Sequence, residues 1–205
     1  MDRLFSTDMN SRPIQRLLCT RFVHFFATRL CWGRLRSLSF DEKYRSGQWN
    51  FVEDPHSELV TLIEERAANG HILILGCGMA SITTSLNPAR YKSIVGIDLS
   101  PVAIGKARQY ANEKIRFEVG NMLTYTPDKK FGIMLFSESL YYVAGRKRVP
   151  LLKRLRDYLA PGGYIIVTIA QPERFAGLLN EMRSDFDVIE DRYFTDSRRF
   201  LIVFR

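Results

Sequence analysis

The sequence predicts an α/β fold, a doubly wound and mostly parallel seven-stranded sheet with helices on both faces. Three observations carry this. From residue 71 onward, short apolar runs alternate with helical patterns, as strand–helix–strand units do. The buried run His71-Ile72-Leu73-Ile74-Leu75 leads directly into the glycine turn Gly76-Cys77-Gly78. The last two apolar runs are separated only by Thr195-Asp196-Ser197-Arg198. That gap is too short for a parallel crossover, so one strand is antiparallel.

In chain order, residues 1–54 are expected to form a basic amphipathic helix and a lid or cap segment, and residues 55–205 the α/β domain. Residues 11–32 read as the amphipathic helix. Ser11 caps it, Pro13 lies in its first turn, and Ile14, Leu17, Leu18, Phe22, Phe25 and Phe26 repeat at helical spacing. Residues 33–54 read as irregular. A helix from about Pro55 to Ala68 is stopped by Asn69-Gly70. Strands are expected at 71–75, 93–97, 115–119, 131–136, 163–169, 185–194 and 198–205. Ser100-Pro101 caps a helix whose Ala103, Ala107, Tyr110 and Ala111 share a face. Leu151, Leu152, Leu155, Tyr158 and Leu159 form a second stripe, closed by Pro161-Gly162-Gly163, and Phe175, Leu178, Leu179, Met182 and Phe186 form a third.

Composition narrows the class. A chain of 205 residues with 46% hydrophobic content is most simply one globular domain with a modest extension. No run of eighteen apolar residues predicts a membrane span. Three cysteines without C-x-x-C spacing argue against a disulfide framework or a zinc site and for a reducing, cytoplasmic compartment. No metal is expected. The net charge of +8 is concentrated at the front: residues 1–40 hold seven arginines against Asp2 and Asp8. A basic average of this origin is weak evidence for nucleic acid, and none is expected as a partner.

The glycine turn is followed, twenty residues after Gly78, by Asp98 at the end of the next buried run. Glycines let a ligand lie against the backbone, and an acid at that place offers two oxygens to a ribose diol. The pair points to an adenosine-containing cofactor. A dinucleotide fingerprint wants a third small residue three positions after the second glycine, where Ser81 stands, and the closing hairpin also disfavours a dinucleotide fold. S-adenosylmethionine is the favoured cofactor.

Five segments together resemble the class I S-adenosylmethionine-dependent methyltransferases, over residues 44–205. They are Ile74-Leu75-Gly76-Cys77-Gly78, Gly96-Ile97-Asp98-Leu99-Ser100, Gly120-Asn121-Met122, Leu135-Phe136-Ser137-Glu138-Ser139-Leu140 and Leu159-Ala160-Pro161-Gly162-Gly163. The resemblance implies a Rossmann-like sheet of order 3-2-1-4-5-7-6 with strand 7 antiparallel. It implies Gly76 and Gly78 beside the methionine part of the cofactor, Asp98 on the ribose hydroxyls and Leu99 against the adenine. Asn121-Met122 match the adenine-edge position, where aspartate is commoner. Ser137 is counted with the cofactor-binding residues. Ala80 replaces the usual third glycine.

Methyl transfer needs mainly in-line positioning and desolvation, and ligands of such sheets bind at strand C-termini. At the end of the fourth strand stands Ser137-Glu138-Ser139-Leu140-Tyr141-Tyr142. Glu138 is the candidate to orient an amine or hydroxyl, or to act as base, and Tyr141 is its partner near the acceptor. The segment lacks the [D/N]-P-P-[Y/F] pattern of nucleobase amino-methyltransferases. With Tyr44 to Phe51 upstream, it resembles the nodulation-type N-methyltransferases, which modify the free amine of a chitooligosaccharide. That resemblance implies a small amine or sugar-like acceptor. Tyr44, Arg45 and Trp49 are expected in a lid, with Arg45 on the methionine carboxylate. Three other candidates are weaker: His56 as a base, His71 and Cys77 as structural residues. The basic run Arg146-Lys147-Arg148, with Lys153, Arg154 and Arg156, reads as a solvated face.

Three readings of residues 1–40 stay open: a cap over the site, peripheral membrane contact through residues 11–32, or a transit peptide. Two other functions stay open beside methyl transfer: a binding-only sensor that uses the same pocket, and a nicotinamide-dependent oxidoreductase.

Overall fold

The computed structural model describes residues 33–49, 57–195 and 198–205. The expected helix at 11–32 and His56 lie outside the described residues. Seven strands form one sheet: β1 (His71–Leu75), β2 (Ser93–Asp98), β3 (Ile115–Val119), β4 (Phe131–Ser137), β5 (Leu159–Ala170), β6 (Val188–Phe194) and β7 (Arg199–Phe204). Their order is β3-β2-β1-β4-β5-β7-β6. The first five pair in parallel, and β7 runs antiparallel to both β5 and β6, as the short 195–198 connection requires.

Strand alternation sorts the core into two layers. Ile72, Ile74, Ile94, Ile133, Leu135 and Ile166 face one side, under α2 (Ser57–Ala67), α3 (Ser81–Ser85) and α4 (Pro101–Ala107). Leu73, Leu75, Val95, Met134, Phe136 and Val167 face the other, under α5 (Gly145–Arg156) and α6 (Ala176–Asp185). The central strands are apolar on both faces because both are covered.

Two elements depart from expectation. The segment read as irregular contains a helix, α1 (Gly33–Arg45). Its buried residues include Ser39, Asp41 and Lys43 beside Phe40 and Tyr44, so no apolar stripe announces it. The second is β5, which begins at Leu159 rather than 163. Leu159 pairs with Phe131, Tyr164 pairs with Ile133, and Pro161-Gly162-Gly163 bulge out between them. Gly163 is forced there, since a Cβ would lie 2.9 Å from the Phe131 carbonyl oxygen.

Polar bonds fasten α1 to α4. Ser37 Oγ donates to the Leu99 carbonyl at 3.1 Å, and Lys106 Nζ donates to the Tyr44 carbonyl at 2.9 Å. The Asp41 carboxylate accepts from Ser100 Oγ and from the Val102 N–H at 3.3 Å. Ser100 in turn caps α4 by accepting the Ala103 N–H at 3.1 Å, with Pro101 at the first helical position. Asp41 thus adds an anion at a helix N-terminus. Asp41→Ala strands a buried hydroxyl and weakens that cap. It is expected to lower stability by about 1–3 kcal/mol, read as a shift in urea midpoint at constant slope.

Candidate active site

A single cleft at the C-terminal ends of β1, β2 and β4 gathers the candidate residues. Its lining includes Gly76, Gly78, Asp98, Leu99, Asn121, Met122, Ser137, Glu138 and Tyr141. Its open space, mouth and adjoining solvent included, is about 1160 Å³. Of the expected site residues, only Arg45 lies outside. Its side chain is 47% exposed and faces Glu42 on its own helix at 3.8 Å. The preceding residue, Tyr44, lines the cleft instead, together with Phe40 and Trp49.

The glycine turn is committed to the sheet. The Gly76 and Cys77 N–H groups both donate to the Ile97 carbonyl, at 2.8 and 2.9 Å. Gly78 N–H donates to Asp98 at 3.0 Å. Gly76 has φ +83°, and a Cβ there would lie 2.5 Å from Ser139 Cβ. Ser139 is drawn in because its hydroxyl donates to the Leu75 carbonyl at 2.6 Å. Hence the end of β4 presses directly on the turn after β1. Ala80, the residue in place of a third glycine, has φ +78°, a left-handed conformation that costs alanine about 1–2 kcal/mol.

Asp98 is buried, with one oxygen accepting Gly78 N–H and the other accepting Ser100 N–H at 2.9 Å. Burial pushes its pKa up to about 6, although the Ser100 and Gly78 amides pull the other way. Asn121 Oδ1 accepts the Leu123 N–H at 3.0 Å, which shapes the wall beside Leu99.

Glu138 sits just past β4 in the left-handed region, φ +52°. Its Oε2 accepts the Ala170 N–H at 2.5 Å and the Tyr141 hydroxyl at 3.3 Å. Its Oε1 is buried and lacks a hydrogen-bond partner, with Arg199 Nε 3.5 Å away as an ion-pair neighbour. Tyr141 stacks on Phe175 at 4.6 Å. Trp49 packs near Phe40 at 5.5 Å, Tyr44 at 4.9 Å and Tyr142 at 6.0 Å. Burial raises the pKa of Tyr44 and Tyr141, and that of Tyr142 to about 12, so all three stay protonated donors. Asp41, Phe40, Ser139 and Arg199 were not singled out from sequence; their roles come from long-range contacts that no local spacing encodes.

Of the weaker candidates, Cys77 and His71 are structural. Cys77 is buried, which raises its thiol pKa, and donates to its neighbour's carbonyl. His71 Nδ1 bonds Ser93 Oγ at 2.7 Å. Much of the basic run has partners: Arg148 donates to the Val143 carbonyl, Lys153 pairs with Asp185, and Arg154 donates to the Tyr125 carbonyl. Among the described residues no group of three His, Cys, Asp or Glu could hold a metal ion, and no helix is long and apolar enough to cross a membrane.

The strand order, the glycine turn and the buried acid define a nucleoside-binding α/β domain. Residues 72–163 match the family described as "Methyltransferase domain", and the sheet order is that of the methyltransferase Rossmann-like fold. The chain is 29% identical over 129 residues to a 2-heptyl-1-hydroxyquinolin-4(1H)-one methyltransferase of Mycobacteroides abscessus, covering 60% of this chain and 56% of that protein. It is 25% identical over 134 residues to nodulation protein S of Sinorhizobium fredii, covering 64% and 62%. The chain therefore spans little more than half the length of these curated relatives. The solved N-methyltransferase NodS from Bradyrhizobium japonicum WM9, in complex with S-adenosyl-L-homocysteine, superposes with a TM-score of 0.62. That match has 21% identity and covers 77% of this chain and 90% of that one, and it bears on the fold.

The two tight positions in the turn predict opposite outcomes. Gly76→Ala adds a methyl group at positive φ against Ser139 and is expected to cost at least about 2 kcal/mol. Ala80→Gly relieves a left-handed alanine and is expected to be neutral or to stabilise by up to about 1 kcal/mol. Thermal unfolding of the two variants checks both.

Proposed function

We propose that the protein transfers a methyl group from S-adenosylmethionine to a small-molecule acceptor, an amine of a sugar-like or other small metabolite. The observation that carries this is the placement of Glu138. It lines the cleft one residue before Ser139, the residue that presses on the Gly76 turn, and its Oε1 makes no hydrogen bond, with only Arg199 beside it as an ion-pair neighbour. A hydrogen-bond acceptor is therefore held beside the place where the methionine part of the cofactor would rest.

The residues present fit that cofactor. Gly76 and Gly78 leave room for its amino-acid end, Asp98 is the acid for the ribose hydroxyls, and Leu99, Asn121 and Met122 wall the base. When bound, it supplies a methyl group already activated on a sulfonium. The chain's own work is to bind, orient and exclude water. Glu138 Oε1 accepts the acceptor's N–H, aiming the nitrogen lone pair, while the Ala170 amide and the Tyr141 hydroxyl prevent the carboxylate from swinging. Phe40, Trp49 and Tyr142 give the mouth an apolar, electron-rich wall suited to an amine. That curated relatives are a quinolone methyltransferase and a nodulation protein supports a small acceptor. The methyltransferase-domain match sets the nicotinamide reading aside, and turnover separates an enzyme from a binding-only sensor. Cytoplasmic placement, a cap or lid formed by residues 1–54, and peripheral membrane contact through residues 11–32 belong to the same proposal. The last is supported by the arginine-rich front of the chain.

Two measurements test the assignment. Ribose hydroxyls bind an ionised carboxylate, and Asp98 takes up a proton as pH falls through about 6. Affinity for S-adenosylhomocysteine is expected to fall about tenfold between pH 8 and pH 5. The fall should be absent in Asp98→Asn; calorimetry that shows a flat wild-type profile removes the ribose role. Glu138→Gln is expected to lower turnover with a panel of aminosugars, amines and phenols by about 10²-fold or more, with cofactor affinity unchanged within about twofold. Equal losses in both would assign Glu138 to the fold of the pocket instead.

A further inference from the structure

Two buried carboxylates meet across one serine. Asp98 ends β2 and lines the cleft, whereas Asp41 comes from α1. Ser100 lies between them, wholly buried, with each of its polar groups engaged. Its N–H donates to Asp98 Oδ1 at 2.9 Å. Its hydroxyl donates to Asp41 Oδ1 and accepts the Ala103 N–H at 3.1 Å, and its carbonyl accepts the Ile104 N–H at 3.1 Å. The Asp98 bond closes a turn on the residue two places on, so the place of Ser100 decides where that carboxylate points. The other Asp98 oxygen is held by the Gly78 N–H at 3.0 Å.

The hold on Ser100 comes from α1. Asp41 Oδ1 accepts its hydroxyl and also the Val102 N–H at 3.3 Å. One turn earlier, Ser37 Oγ donates to the Leu99 carbonyl at 3.1 Å. Leu99 and Ser100, the two residues after Asp98, are thus both bonded to the helix that roofs the cleft. An apolar side chain would dock that helix without burying a carboxylate, which is costly, so packing alone does not account for Asp41.

The charge also acts through space. Burial is the main reason the Asp98 pKa rises to about 6, and the Asp41 carboxylate adds to the rise against the pull of the Ser100, Gly78 and Leu99 amides. The other titratable groups facing Asp98 are Tyr44 of α1 and Cys77 of the glycine turn, both kept protonated by burial. Lys106 of α4 is bonded to the Tyr44 carbonyl. Asp41 is the anion among these neighbours.

We propose that Asp41 is a positioning residue for the cofactor's ribose, acting on Asp98 through the Ser100 bond and through its own charge. This rests on the S-adenosyl reading of the cleft. The bond keeps Asp98 aimed, which strengthens binding wherever Asp98 is ionised. The charge limits how far toward acid that ionisation lasts. Docking of the roof helix and seating of the nucleoside are thereby linked, and each favours the other.

The test is calorimetric titration of the full chain with S-adenosylhomocysteine between pH 5 and pH 8. Asp41→Asn keeps an oxygen for Ser100 and Val102 but removes the charge, so Asp98 stays ionised to lower pH. The midpoint of the affinity loss is expected to move down by about half a pH unit or more, with the affinity at pH 8 within about threefold of wild type. Asp41→Ala removes bond and charge together. It should show the lowered midpoint and an affinity at pH 8 at least about fivefold weaker, and it serves should the asparagine variant fail to fold. Ser37→Ala loosens the same helix without touching Ser100 or Asp98, and should lower the melting temperature with the midpoint unmoved. A midpoint and pH 8 affinity unchanged in both Asp41 variants, with only the melting temperature lowered, overturn the positioning role and leave Asp41 a fastening of α1. A midpoint that moves as far in Ser37→Ala assigns the effect to helix docking at large and overturns the role of Asp41. A flat wild-type profile overturns the ribose role of Asp98, and the proposal with it.

Discussion

The cleft depends on how closely the end of β4 approaches the turn after β1. Ser139 donates to the Leu75 carbonyl and lies where any side chain at Gly76 would have to go. Because Gly76 has no Cβ, the two strand ends meet, and everything downstream of β4 is set by that meeting. Glu138 is carried past the turn and Leu140 enters the core. Tyr141 and Tyr142 swing back over the mouth. In an open α/β sheet the space between two such strand ends is where a ligand settles. Here that space is bounded by a bond and a missing methyl group rather than by a loop of its own.

Around this junction the polar groups are arranged at some energetic cost. Asp98 is buried, and its raised pKa records the loss of water around a carboxylate that its backbone amide partners only partly offset. Glu138 has one oxygen engaged by Ala170 and Tyr141 and the other without a hydrogen bond beside Arg199. The second is the kind of incompletely satisfied group that a binding site retains and an ordinary core avoids. The apolar layers on the two faces of the sheet are large enough to carry such exceptions.

The central sheet was legible in the sequence because its strands are apolar on both faces and end in glycine, acid or turn residues. Ile72–Gly78 and Ile94–Asp98 are of this kind, and the short connection before β7 dictated its reversal. Helix α1 was not legible, since it buries Asp41 and Lys43 beside Phe40 and Tyr44. Periodicity registers oil, and this helix docks through hydrogen bonds. Without its helical phase, Tyr44 and Arg45 could not be told apart. They differ by about 100° around the axis, and that rotation sends one into the cleft and the other to solvent. The early start of β5 was hidden for a different reason. Pro161-Gly162-Gly163 reads as a turn, but a bulge uses the same residues without leaving the sheet.

The fastening of α1 has a consequence for how the cleft answers strain. The floor of the cleft belongs to a seven-stranded ladder, whereas α1 contributes to its roof through Phe40 and Tyr44. That helix is tied to α4 by the bonds of Ser37, Asp41 and Lys106. Each such bond contributes on the order of 1 kcal/mol net, far less than tearing a strand from the ladder. The roof is thus held by weaker ties than the floor, and a strain reaching the cleft would part side-chain bonds of α1 before it parted any strand of the ladder.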